Sequence, residues 1–345
     1  MEIVTYSDRD KIPWQEYVMN SNKSSFYHQI GWKEAIEKCY SLKSCYLLAK
    51  EGSSVRGILP LFFTIKSYFF PWALISLPYG NYGGVIGDTP SIEYQLLQKA
   101  NEIIIKNKIA YLEFKNFHPL EYPILKTKLD YFSLILELDA DPSKIWQKKI
   151  KGTARNRVRK AQKLGLVAKC NNNYLKEFYY LYTKNMRDLG SPTHGMEWFK
   201  ILSDIFENEL IISIAFFKNQ PVGGVFAFLF KDTLIVQYAA SEREYLKYCP
   251  NNLAYWVLIT YACQKGFNFF DFARSKRNQG TYHFKETWGA RPHQVYYQYI
   301  LNNGNKLPQV DSENPKYNLA INVWKKLPLS LTRFFGPTIR KRIPV

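Results

Sequence analysis

Lys285, Asp271 and His283 fall within one short segment, DFARSKRNQGTYHFKETWGAR, running from Asp271 to Arg291. The segment mixes two acids, a histidine and several cations with small and aromatic neighbours. It has too little apolar area to be plain core and too many aromatics to be a solvated linker. Its expected job is to hold an anionic or carbonyl-bearing substrate against Lys285. Arg274 and Lys276 are suited to a phosphate or a carboxylate. His283 lies two residues from Lys285, so an extended strand would point both to one side.

An aromatic strand, NFF at 268–270, leads into this segment. Ahead of it, 210–217, 221–230 and 233–240 read as a three-stranded meander with turns at Asn219-Gln220 and Lys231-Asp232, and a helix is predicted over 251–265. Meander, helix, strand is the order of a GNAT-like acyltransferase core. The first half rhymes with the second. Val55-Arg56-Gly57 matches Val222-Gly223-Gly224, and the aromatic strand ending Glu113-Phe114 matches the one ending Asp271-Phe272. From valine to acid is 58 residues in the first half and 49 in the second. Two matches in one order predict a duplicated mixed α/β domain. The expected division is 1–138, 139–305 and a tail at 306–345, with Asp139 to Pro142 as a turn that caps the next helix.

A chain of 345 residues with 46% hydrophobic and 17% aromatic content can build two cores, which excludes general disorder. The formal charge of +18 points to an anionic partner: RNA, a nucleotide-linked substrate or an acidic membrane face. Five cysteines without CxxC spacing read as reduced thiols of a cytoplasmic protein. No metal-ligand spacing is present. The N-terminus lacks the features of a signal peptide. Lys66 and three prolines break the apolar stretch 57–78 into strands, so no membrane-spanning segment is expected.

One helix is predicted over 143–164, with Ile150, Ala154, Val158 and Ala161 as its buried stripe. Around the stripe lie Lys151, Arg155, Arg157, Arg159 and Lys160 among further lysines, without an acid. Like charges this dense repel one another by a few tenths of a kcal/mol per pair. A bound phosphate, on a nucleotide, tRNA or lipid headgroup, would offset them; a solvated face is the alternative.

Four stretches carry a resemblance: SLPYGNYGGVIGD at 76–88, RNRVRKAQKLGL at 155–166, MRDLGSPTH at 186–194 and FDFARSKRNQGTYHFKETWGA at 270–290. Together they resemble the FemAB-related, Fem-like family, often labelled BioF2-like acetyltransferases, over most of the chain. The resemblance implies two tandem GNAT-like domains and acyl or aminoacyl transfer to an amine. In the best-understood relatives an amino acid moves from aminoacyl-tRNA onto the stem peptide of a peptidoglycan precursor. It also implies that Phe284-Lys285, followed by Gly289, sets the lysine at the reacting carbonyl or the tRNA end. The sequence departs from the family at three places. The helical arm of the staphylococcal enzymes is missing between Val167 and Phe206. Trp288 stands where a Phe is usual. The turn before helix 251–265 reads Cys249-Pro250-Asn251-Asn252 and lacks the glycine-rich pyrophosphate loop of CoA-dependent enzymes.

For such chemistry Lys285 would supply positive charge to a tetrahedral oxyanion, where one donor is worth roughly 3–4 kcal/mol. A structural pairing with Glu286 or Asp271 is the alternative. Asp271 would accept the amine proton or else anchor Arg274, and His283 is a second candidate base. Tyr282, Phe284, Trp288 and the loop residue His194 are candidates to line the substrate. Tyr79, Asn81, Tyr82 and Gly83 form a glycine turn that would meet the acceptor in a cleft between the halves. The donor is either aminoacyl-tRNA or acyl-CoA, with no permanently bound cofactor. The acceptor is either a cell-envelope precursor or an amino sugar of a surface glycan. A non-catalytic protein that binds an anion or a membrane remains the third reading. The tail 324–345, with six basic residues and no acid, either lies on an anionic cytoplasmic membrane face or docks on the body of the protein.

Overall fold

The computed structural model describes residues 1–66, 71–302, 307–308 and 318–343. The chain divides into two compact units. One is formed by Met1–Tyr131 with Gln294–Asp311 and Lys341–Val345, the other by Phe132–His293 with Ser312–Arg340.

In the first unit, β1 (Glu2–Thr5), β2 (Leu47–Glu51), β3 (Ser54–Leu59) and β6 (Ile86–Gly87) form an antiparallel sheet in that order. A second sheet pairs β4 (Leu61–Phe63) with β5 (Ala73–Ser76), and β5 runs parallel to β7 (Tyr111–Asn116). Helices α1 (Lys11–Asn20), α2 (Ile30–Tyr40) and α3 (Pro90–Lys106) complete the unit. α3 starts where the Thr89 side chain accepts from the Ile92 amide, with Pro90 at its first position. Its Ile92, Leu96, Ala100 and Ile104 recur at helical spacing and bury against Leu47, Leu59, Leu74 and Leu112.

The second unit has the expected meander. β9 (Val167–Cys170), β10 (Leu210–Phe217), β11 (Gln220–Phe230) and β12 (Thr233–Ser241) are antiparallel, and β13 (Phe269–Lys276) lies parallel to β12. β8 (Leu125–Glu137) neighbours β13 on its other side. α8 (Pro250–Gln264) buries Leu253, Ala254, Leu258, Ile259 and Ala262 against this sheet's Val225, Ala227 and Leu234. The duplication extends to register. Ile75 pairs with Glu113 in the first unit and Ile235 with Asp271 in the second. In each case the acid is the third and last rung of a parallel ladder.

Several expectations require correction. The helix predicted over 143–164 is interrupted. Asp141 caps a single turn, α4 (Pro142–Lys144), that widens into a π turn over Ile145–Lys149. Ile150 is extended, and α5 (Gly152–Lys163) then begins anew. The break puts Gly152 at the first position of a helix rather than in a helix interior, where glycine costs about 1 kcal/mol. The expected divisions also shift. β14 (Arg291–Leu301) begins in the second unit, but Tyr296–Leu301 pairs with β7, and Gln294–Asp311 belongs to the first. The expected boundary at 305–306 lies outside the described residues. The tail docks. α10 (Asn318–Lys326) packs on α6 (Leu175–Leu189), and Pro337 sits inside α11 (Leu329–Lys341) instead of ending it. Among the described residues, no helix is long and apolar enough to cross a membrane.

Candidate active site

The β12–β13 ladder ends at Ile235 and Asp271, and beyond it β13 bends. Ala273 has φ +63°, a left-handed conformation that costs a non-glycine residue roughly 1–2 kcal/mol. Asp271 holds the bend. Its Oδ1 accepts from the Ala273 amide at 2.8 Å, two residues on, and from Ser133 Oγ of β8 at 2.6 Å. The bend brings two successive carbonyls to one point. Lys285 Nζ donates to the Ala273 carbonyl at 2.7 Å and to that of Arg274 at 3.0 Å.

Lys285 comes from α9 (Gly280–Glu286) and is 7% exposed. Burial lowers its pKa to about 7, with the Arg274 cation lowering it further and the Asp271 carboxylate pulling it up. An ammonium has three N–H groups and the two carbonyls take two of them.

Gly289 fixes this arrangement. It has φ +80°, and a Cβ there would lie 2.4 Å from the Lys149 carbonyl oxygen. The Thr287 carbonyl accepts from the Lys151 amide at 2.8 Å. The turn after α9 is thereby clamped to the basic segment, which joins the two motifs that the sequence reading treated separately. Lys151, Arg157, Arg159 and Lys160 are exposed, and Arg155 is half-buried with Nη1 3.5 Å from the Trp146 carbonyl. The Arg159 guanidinium lies over the Trp146 ring at 5.5 Å.

Not every candidate gathers here. The segment 280–286 is helical, not extended, so His283 and Lys285 diverge by about 200°. His283 is exposed, with Nδ1 3.1 Å from Glu286. Tyr282 and Trp288 are core residues: Tyr282 packs edge-on to Phe132, and Trp288 lies between Phe272 and Phe284. Phe284 is partly buried against Tyr255. Arg274 and Lys276 are half-exposed on β13. His194 offers no surface to a ligand. It is fully buried, stacked on Trp198, with Nε2 3.4 Å from the Tyr238 hydroxyl and 3.3 Å from Arg340 Nε. Burial, then the nearby Arg340, pushes its pKa well below the usual histidine range.

In the first unit the turn 77–84 is packed, not open. Leu77 and Tyr79 have φ +43° and +64°. Asn81 donates to the Tyr27 hydroxyl at 2.6 Å, and Tyr82 packs on Tyr27 and Phe117. Gly83 donates to the Lys115 carbonyl at 2.7 Å and, at φ +129°, leaves room for Leu77. His28 Nε2 lies 3.1 Å from the Gly84 carbonyl, and Trp32 donates to that of Pro78. The segment FYHQIGW at 26–32, which the sequence reading left without a role, therefore holds the turn. Glu113 also has a lysine at its side. Lys115 is 1% exposed, with Nζ 3.6 Å from Glu113 Oε1, but it comes from β7 itself and not from a following helix.

Residues 148–286 match the family described as acetyltransferase (GNAT) domain. No curated protein matches the chain by sequence. Among solved structures, FemX aligns with a TM-score of 0.67 at 14% identity, covering 93% of this chain and 100% of that one. A tandem GNAT protein from the clavulanic acid biosynthesis pathway aligns at 0.56 and 10% identity, covering 86% and 97%. L-PGS from Bacillus licheniformis aligns at 0.51 and 10% identity, covering 89% and 96%. Fold and domain match define a GNAT-fold acyltransferase. Its fold is similar to that of FemX and of the tandem GNAT protein, with the acetyltransferase domain match falling in the second unit.

Proposed function

We propose that the protein transfers an aminoacyl or acyl group to an amine of a cell-envelope precursor, with Lys285 at the reacting carbonyl. The observation that carries this reading is the Lys285 cradle, in which two carbonyls of β13 fix an ammonium and leave one N–H over. The acceptor nitrogen attacks the carbonyl carbon of the ester or thioester, and the carbonyl π pair moves onto oxygen. That oxyanion takes the third Lys285 N–H. Collapse breaks the bond to the leaving oxygen or sulfur, the leaving group takes a proton, and the new amide nitrogen gives one up. Asp271 serves this step by holding the Ala273 bend and by keeping more of Lys285 charged.

The likeness to FemX and L-PGS supports an aminoacyl donor and an envelope acceptor, and the cationic surface at 151–160 suits the phosphates of a tRNA. A second reading, acyl-CoA as donor with an amino-sugar acceptor, is favoured by the acetyltransferase domain match. Radiolabelled aminoacyl-tRNA and acetyl-CoA, each offered with envelope amines, separate the two. Transfer from charged tRNA supports the first reading and transfer from acetyl-CoA the second. Transfer from neither, with salt-sensitive anion binding retained, would show a binding protein.

A further inference from the structure

α11 is built inside out. Its small and polar residues, Thr332, Gly336 and Arg340, recur every four positions on the face that packs against the body. A Cβ on Gly336 would lie 2.7 Å from Thr193 Cγ2, Arg340 meets His194, and the Arg333 guanidinium donates to Thr183 Oγ1 at 2.9 and 3.1 Å. Its large apolar residues face out. Leu331, Phe334 and Phe335 stand at i, i+3 and i+4, a single helical stripe, and Phe334 is 75% exposed. α10 repeats the pattern. Ile321 packs so closely on Gly190 that a Cβ there would be 2.5 Å away, while Leu319, 77% exposed, and Val323 point outward one turn apart.

A helix seated this tightly on a protein normally puts such residues inward, because each exposed phenylalanine forgoes the burial that drives folding. We infer that the outer face of α10 and α11 docks on an anionic lipid bilayer. Charge selects this occupant. Beside the two body-facing arginines, residues 318–343 hold Lys325, Lys326, Lys341 and Arg342 and no acid, in a chain of formal charge +18. Apolar side chains flanked by cations match the headgroup boundary of an anionic membrane, where both terms favour binding. A second copy fits worse, since a two-fold interface would set this cationic patch against itself. The inference goes beyond the proposed chemistry and does not depend on it.

The test is flotation of the full-length protein with vesicles of phosphatidylcholine alone, or with about one-third phosphatidylglycerol at a bilayer charge that attracts basic segments. Wild type should float with the anionic vesicles, less so as salt rises, and bind the neutral ones weakly. The double variant Phe334→Ser/Phe335→Ser should lose at least about 30-fold in affinity, from the lost insertion of two rings, with its thermal midpoint unchanged. Lys325→Gln/Lys326→Gln should weaken binding and flatten its salt dependence. Equal binding by wild type and the phenylalanine variant would overturn the inference, as would failure of wild type to float at low salt. So would a wild-type dimer that the variant disperses, because the patch would then be covered by a second copy.

Discussion

Lys285 donates to the carbonyl of Ala273, a residue held in the left-handed region by the Asp271 side chain two positions before it. A buried lysine with a pKa lowered to about 7 and a strained strand residue are thus parts of one device. The strain aims the carbonyls, the carbonyls hold the ammonium, and the carboxylate restrains its loss of charge. Such a bend is conformationally costly and persists where the surroundings over-determine it.

Lys285 makes stability depend on pH. Its folded pKa lies below its unfolded value of 10.5, so between about 7 and 10.5 the unfolded chain binds more protons than the folded one. Its contribution to stability is full above 10.5 and is lost as pH falls through about 7. Urea melts from pH 6 to 10 should show stability rising by at most about 1.4 kcal/mol per pH unit, as linkage for one proton allows. Lys285→Met should flatten that rise.

Asp271→Asn keeps an oxygen for Ser133 and for the Ala273 amide but removes a charge that raises the Lys285 pKa. Lys285 should then lose its proton at lower pH, and the alkaline limb of the rate profile should move down with it. Asp271→Ala removes the bond to Ala273 as well and should cost about 1–3 kcal/mol of stability, because it leaves a buried N–H unsatisfied.

Gly289→Ala should destabilise by roughly 2 kcal/mol or more, since the residue sits at positive φ with a Cβ aimed at the Lys149 carbonyl. Equilibrium unfolding measures this. Transfer should fall too, because the clamp between α9 and the basic segment loosens.

Much of the second unit was legible in the sequence. Near-continuous apolar runs between turn pairs mark β10 to β12, and the long apolar run from Leu253 marks α8. The recurrence of an acid after an aromatic strand marks Glu113 and Asp271 as counterparts, which their shared ladder position bears out. What escaped was set by distant partners. α9 is short, and His283 and Lys285 fit strand alternation equally well until the carbonyls that hold Lys285 are known. β14 pairs with β7 across a long sequence separation, so no local pattern announces it. α10 and α11 mislead because their bulkiest residues face outward, the reverse of what a hydrophobic stripe implies. Lys115 reads as a surface cation unless its strand is seen to be covered on both faces.

The first unit offers a test of its own buried pair. Glu113→Gln or Lys115→Met alone should cost about 3–5 kcal/mol, because each leaves a buried charge without its counter-charge. The double variant should recover part of that loss. Denaturant melts of the four proteins close the cycle.

The central claim is that the Lys285 ammonium stabilises the oxyanion, and single-turnover transfer measured against pH tests it most directly. Wild type should lose rate as pH rises through about 7, where Lys285 gives up its proton. Lys285→Ala should lose roughly 100- to 1,000-fold at pH 6.5, the range for removing one oxyanion donor. Lys285→Arg, which stays charged, should be slower but lack that alkaline limb. Transfer by Lys285→Ala at the wild-type rate, or an unmoved limb in Lys285→Arg, would contradict the account.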